Sequence, residues 1–313
     1  MTTALTFPGQ GSQAVGMGKA LAEAYPAAAR VFAEVDDALG ERLSTTIFEG
    51  PLEELTLTAN AQPALMAVSL AAIRALEAEG FSVAGAASFV AGHSLGEYSA
   101  LAAAGSFSVG DAARLLRTRG RAMQAAVPVG EGAMAALLGL DFEAATAVAA
   151  EAAGDEVCQA ANDNGPGQVV ISGSRVAVER ALEIAKARGA KRAILLPVSA
   201  PFHCRLMQPA ADIMAEALAA IPILAPSVPI VANVLAYPIS DPDEIRSRLV
   251  QQVTGMVRWR ESVGWLAANG VDRFVEIGAG KVLSGLAKRI APDASTLTVG
   301  QPEDIPAAVA ALA

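Results

Sequence analysis

The chain has very little material for metal or disulfide chemistry. Its 313 residues include two cysteines, Cys158 and Cys204, and two histidines, His93 and His203. The cysteines form no C-x-x-C pair, and no histidine lies at a zinc-site spacing from them. Both read as small core residues of a chain in a reducing cytoplasm, and no metal is expected. Also missing is any run of about 18 uncharged apolar residues, and the first residues carry no basic segment. Neither a membrane span nor a secretory leader is expected. A dense basic stripe is absent as well: 23 Lys and Arg stand against 32 Asp and Glu, a net charge of −9. Nucleic-acid binding rests on neutralising phosphates, so that class is excluded. Alanine is plentiful and lifts the hydrophobic share to 53% without making a membrane protein. A chain of this length can bury a sizeable core without staples, and suggests about two packing units.

Short apolar runs alternate with longer helical patterns, which predicts an α/β protein. Leu5-Thr6-Phe7 is a strand candidate broken by Pro8-Gly9-Gln10-Gly11-Ser12-Gln13. Helices follow to about Asp37 and from about Gln62 to Glu79, then a buried strand over Ser88–Ala91, then a helix from Gly110 to about Ala126. The middle of the chain reads strand (133–140), helix (142–153), strand (157–161), strand (168–172), helix (175–188), strand (192–198). That βαββαβ order predicts an inserted ferredoxin-like subdomain over 128–198. Residues 1–127 and 199–313 would form the larger α/β domain, with a mainly parallel sheet. Leu206, Ile213, Met214, Ala217 and Ile221 make an apolar stripe on the next helix, and Arg273–Ile277 is a further core strand. Asn162-Asp163-Asn164-Gly165-Pro166-Gly167-Gln168 is turn-forming in composition.

Gly92-His93-Ser94-Leu95-Gly96 lies between an apolar strand and a helix, the context of a nucleophile elbow. The glycines permit a sharp turn, and the free N–H groups of the helix start favour a developing negative charge on Ser94. A serine nucleophile needs a base. His93 precedes it on the elbow and should point away. His203, in Ser199-Ala200-Pro201-Phe202-His203, sits in a strand-to-helix loop, where α/β folds keep their active sites; the alternative is a histidine that only caps its loop. On the helix from Gly110, Arg114, Arg117 and Arg121 share a face read as solvated, whereas Arg119 falls between Leu115 and Leu116 on the apolar side. A buried guanidinium must find an anion. This is either an internal acid or a substrate carboxylate gripped by two parallel hydrogen bonds. Gly9-Gln10-Gly11 lacks the spacing of a dinucleotide site and the lysine of a P-loop.

Five separated segments match one family in its order: Phe7–Gln13, Gly92–Ala100 (GHSLGEYSA), Arg119-Gly120, Pro166-Gly167-Gln168 and Val198–His203. Over nearly its whole length the chain resembles the bacterial malonyl-CoA:acyl carrier protein transacylases. The resemblance implies that Ser94 is acylated, that His203 is the base and that Arg119, 25 residues past the serine, binds the malonyl carboxylate. It further implies that the backbone N–H groups of Gln10 and Leu95 form the oxyanion hole. The histidine would be oriented by a glutamine carbonyl, Gln252 or its neighbour Gln251. Gln62, Asn162 and Phe202 match positions near the substrate. Phe202 stands where some members carry serine; in related polyketide acyltransferases a phenylalanine there accompanies choice of malonyl over methylmalonyl, and Gly255-Met256 replaces a segment often reading Asn-Pro. On this resemblance malonyl-CoA is a substrate, no cofactor is needed, the partner is acyl carrier protein and the enzyme is a cytoplasmic monomer supplying fatty acid synthesis. The carrier is acidic, so docking requires a basic patch, for which Lys191-Arg192 and Lys288-Arg289 are candidates. The rival readings are a serine thioesterase or hydrolase, a stand-alone acyltransferase serving a polyketide synthase, and a silent carrier-binding subunit.

Overall fold

The computed structural model of the chain describes residues 1–312. Ten strands form two sheets: β1 (Thr3–Phe7), β2 (Phe89–Gly92), β3 (Gly132–Leu138), β4 (Cys158–Gly165), β5 (Gln168–Ser174), β6 (Arg192–Leu195), β7 (Ile230–Ala232), β8 (Tyr237–Ile239), β9 (Arg273–Ile277) and β10 (Ser295–Val299). The larger sheet runs β10-β9-β1-β2-β7-β8. All its pairings are parallel except the antiparallel edge pair β7–β8. Its central strand, β1, is buried along its full length, as expected for a parallel strand covered by helices on both faces.

The smaller sheet has the order β4-β5-β3-β6 and is antiparallel throughout. With the helices Phe142–Ala153 and Arg175–Ala187 it forms the expected βαββαβ module. The period-2 alternation of β3 divides its work. Ala133, Ala135 and Leu137 join Val148, Ile171 and Val178 in a core of their own. Met134, between them, packs with the larger core instead.

Several local expectations are corrected by tertiary context. The segment read as turn from Asn162 is strand up to Gly165, with register shifts along β4, and only Pro166-Gly167 turns. The strand tolerates Asp163 and Asn164 because each side chain has a partner elsewhere, Arg260 and His93. Asp163 is fully buried against Arg260, whose Nε donates to Oδ2 at 2.8 Å, and its N–H donates to Val257 O at 2.9 Å. β6 ends at Leu195, not Val198, and the helix expected from Gln62 starts a turn earlier, at Thr58. Pro63 lies inside this helix, beyond its first turn, and has no N–H to give to the i→i−4 ladder. On the Gln208–Ala219 helix, Ile213 is 44% exposed and Leu218 is buried, so the core stripe runs through Ala210, Met214 and Leu218. Arg117, placed by periodicity on the solvated face with Arg114 and Arg121, is buried. Glu41 and Asn60, from other elements, cover it and take its guanidinium.

The helix Val109–Ala125, which carries Arg119, crosses the helix Thr58–Ala78 at Gly120. A Cβ there would lie 2.6 Å from Thr58 O. Gly120→Ala should therefore destabilise the protein by about 1–3 kcal/mol through overpacking, despite alanine's better helix propensity. A urea midpoint unchanged or raised would show that the crossing has room.

Candidate active site

Gln10, Ser94 and Asn233 all follow the carboxyl ends of neighbouring parallel strands, β1, β2 and β7. That end of an open α/β sheet is where such folds bind ligands. Between β2 and the helix Gly96–Ala103, Ser94 adopts φ 53°, a left-handed conformation unusual for a residue with a Cβ. Holding it costs about 1–3 kcal/mol. A Cβ on Gly92 would fall 1.9 Å from the Gly96 carbonyl, and one on Gly96 would fall 2.2 Å from Phe7 O, so the turn needs both glycines. Asn233 supports it from the next strand: its Oδ1 accepts the Ser94 N–H at 2.7 Å, and its Nδ2 donates to Gly92 O at 2.7 Å.

His203 Nε2 lies 2.8 Å from Ser94 Oγ. Its Nδ1 faces two main-chain carbonyls, Gln252 O at 2.9 Å and Gly255 O at 3.1 Å. Carbonyls only accept, so the proton is assigned to Nδ1, and the Nε2 lone pair is left to receive the serine proton. Of the two glutamines the resemblance left open, Gln252 has the carbonyl on the imidazole. Gln251 is exposed and its carbonyl accepts the Gly255 N–H. Burial, reinforced by the positive charge of Arg119, pushes the His203 imidazole down to about 3.

Arg119 is 1% exposed. Its Nη1 donates to Gln62 Oε1 and its Nη2 to Gln252 Oε1, each at 2.8 Å, and Nη2 also reaches Ser94 Oγ at 3.1 Å. The guanidinium lies over the Tyr98 ring, 5.7 Å from its centroid. Among the described residues it makes no ion pair. Its positive charge is thus aimed by neutral acceptors and left uncancelled beside the nucleophile. The nearby Glu97 carboxyl, 2% exposed, is pushed up to about 7 by burial. It accepts from Gln252 Nε2 at 2.8 Å and from the Asn233 N–H at 3.1 Å.

Ser94, His203 and Arg119 line a cavity of about 450 Å³ between the two sheets. Met134, Asn162 and Val170 contribute one wall from the small module, while Phe202, Gln62 and Gln10 border it from the larger part. Leu95 also borders it, and neither the Gln10 nor the Leu95 N–H donates to another group among the described residues. A second depression, about 560 Å³, shares Gln10, Thr56, Pro197 and Val198 with the first and continues it outward. His93 turns from the serine, as expected, to Asn164 Oδ1, 2.8 Å from its Nε2. No cluster of three metal-ligating side chains occurs among the described residues, and no helix there is long and apolar enough to cross a membrane. Asn233 and Glu97 were not assigned roles from sequence. Glu97 sits inside the elbow motif, but for Asn233 no sequence signal exists.

The basic candidates lie away from the nucleophile. Lys191, Arg192, Lys288 and Arg289 are exposed and form no ion pairs among the described residues. Arg289 Nη1 donates to Gln168 Oε1 at 3.3 Å, and Leu138 pairs with both Gln168 and Arg192. Both basic pairs therefore gather at one end of the small sheet.

The family model for the acyl transferase domain matches residues 5–296. A malonyl CoA-acyl carrier protein transacylase of Bacillus subtilis is 50% identical over 310 residues, covering 99% of this chain and 96% of that one. The crystal structure of an acyl-carrier-protein S-malonyltransferase from Bartonella henselae superposes with a TM-score of 0.98 at 62% identity, covering 100% and 99% of the two chains. A malonyl-transacylase solved in complex with its type II polyketide synthase acyl-carrier protein gives 0.96 at 44% identity, covering 99% and 100%.

Because the His203 imidazole stays neutral down to about 3, acid removes no base from Ser94 over the ordinary range. Labelling of Ser94 by a fluorophosphonate should hold within about threefold from pH 8 to pH 5, where an imidazole at the ordinary value would cost about thirtyfold. A fall with a midpoint near 6.5 would contradict the buried, cation-flanked environment.

Proposed function

The chain belongs to the acyl transferase domain family, and from that premise we propose the chemistry of its site. It is an acyltransferase that moves the malonyl group of malonyl-CoA to the phosphopantetheine thiol of acyl carrier protein, for fatty acid synthesis. Malonyl-CoA is a substrate, and the reaction needs no resident cofactor. We place the protein in the cytoplasm as a monomer and take residues 128–198 as the inserted subdomain.

Ser94 Oγ attacks the thioester carbonyl while its proton passes to His203 Nε2. The carbonyl oxygen, now negative, is met by the N–H groups of Gln10 and Leu95, each such donor being worth about 3 kcal/mol. Collapse breaks the C–S bond, and the departing CoA sulfur takes the proton from His203. In the second half the carrier thiol gives its proton to His203 and its sulfur attacks the malonyl ester. Breaking the C–O bond then returns the proton to Ser94. The outward depression bordered by Thr56 and Pro197 is a path for either thiol-bearing arm.

The observation that carries the reading is the uncancelled Arg119 guanidinium 3.1 Å from the nucleophile. A malonyl group ends in the carboxylate that this fork can grip. Gln62 and Gln252 aim it, and Phe202 and Asn162 border the space for the acyl unit. A serine hydrolase reading has less support, because the imidazole leans on carbonyls rather than a carboxylate.

Intact-protein mass spectrometry after brief exposure to malonyl-CoA tests this directly. Wild type should gain one malonyl group, and Arg119→Ala should load it about 10- to 100-fold more slowly, the loss expected for hydrogen bonds to a charged group. Acetyl loading should suffer less; undiminished malonyl loading would remove Arg119 from the site.

Docking of the acidic carrier is assigned to Lys191, Arg192, Lys288 and Arg289. Reversing these charges should raise KM for the carrier severalfold, more so at low salt, and spare acylation by malonyl-CoA. Equal loss in both half-reactions would move the docking surface elsewhere.

A further inference from the structure

Arg119 is oriented by amides, not acids: Gln62 Oε1 on Nη1 and Gln252 Oε1 on Nη2, each at 2.8 Å. An amide oxygen aims a guanidinium without cancelling its charge. A carboxylate in the same place would compete with the carboxylate of the substrate. An amide is two-ended, however. Turned by half a rotation, Gln252 would present its NH2 to the N–H groups of Arg119, donor against donor. Three acceptors on its far side oppose that turn. Gln252 Nε2 donates to Glu97 Oε2 at 2.8 Å and to Ser94 O at 3.0 Å, with Asn233 Oδ1 at 3.4 Å. The last is the longest, and that oxygen already receives the Ser94 N–H at 2.7 Å. Glu97 makes the shortest of the three bonds. It is 2% exposed and forms no ion pair among the described residues. A carboxyl group kept there at the cost of burial has work in its hydrogen bonds.

We propose that Glu97 is a positioning residue for substrate choice. Its Oε2 locks the Gln252 amide with Oε1 toward Arg119, and so keeps the guanidinium aimed at the malonyl carboxylate. The function resides in an acceptor oxygen and not in negative charge, because the bonds to Gln252 Nε2 and to the Asn233 N–H fall on the same oxygen. The inference rests on the malonyl reading given above.

Three variants separate the possibilities. Glu97→Gln keeps a carbonyl oxygen in place and discards the charge. Glu97→Leu keeps the volume and discards the acceptor, and Glu97→Asp keeps the charge but withdraws the acceptor by one methylene. Loading from malonyl-CoA and acetyl-CoA is compared for each, with fluorophosphonate labelling of Ser94 as a gauge of the elbow. Leu and Asp should raise KM for malonyl-CoA about tenfold and lower the malonyl-to-acetyl preference about as much, with labelling within about threefold of wild type. Gln should restore most of that preference. Equal losses with both thioesters in Leu and Asp, or a Gln variant as poor as Leu, would overturn the proposal. Should Leu fail to fold, the Asp–Gln pair decides alone. Wild-type protein that takes up no malonyl group would defeat the malonyl reading itself. Normal wild-type loading with unaltered preference in Asp and Leu would defeat only the role of Glu97.

Discussion

A positive charge held out of water beside a serine hydroxyl organises the whole site. Arg119 is almost fully enclosed, and an enclosed charge without a counter-ion is costly. The fold meets part of that cost with two amide oxygens and the face of Tyr98. The rest persists as electrostatic potential at the nucleophile. The same cation helps hold the imidazole well below its ordinary range, so the ring that meets Ser94 Oγ is neutral.

Around that cation, the machinery is built largely from neutral groups. Main-chain carbonyls, where many serine enzymes place an acid, orient the imidazole, and an amide clamps the elbow. Neutral partners align without discharging. The buried acid, Glu97, stands one hydrogen bond behind the fork instead of on it. The parallel sheet supplies rigidity, since β1, β2 and β7 deliver their loops at the same end, and the small antiparallel module closes the far wall with Met134, Asn162 and Val170.

Signals carried by neighbours in sequence were legible. The elbow could be read because glycines flanking a serine between strand and helix are a local steric demand, and the structure shows the contacts that exclude a Cβ at both. The βαββαβ order could be read because periodicity of 2 and of 3.6 residues is written along the chain. Arg119 stood out by helical phase, whereas phase misled at Arg117, because Glu41 and Asn60 arrive from distant segments to cover it. The polar run from Asn162 has turn composition, yet pairs as a strand because Val257 and Arg260 satisfy it from the other part of the molecule. The short strands β7 and β8 carry three residues each, too few for a periodic signal.

By itself, the sequence determined the class of fold, the elbow, the one imidazole free to serve it and the apolar setting of the Arg119 cation, since each depends on near neighbours and on residue chemistry. Only the tertiary structure decided whether that cation met an internal acid or the nucleophile, and it placed Gln62, Gln252 and Ser94 there while leaving Glu97 behind an amide. The reason is physical: the sign and rank of a buried charge's partners depend on ångström distances between segments up to 133 residues apart, which no local pattern encodes.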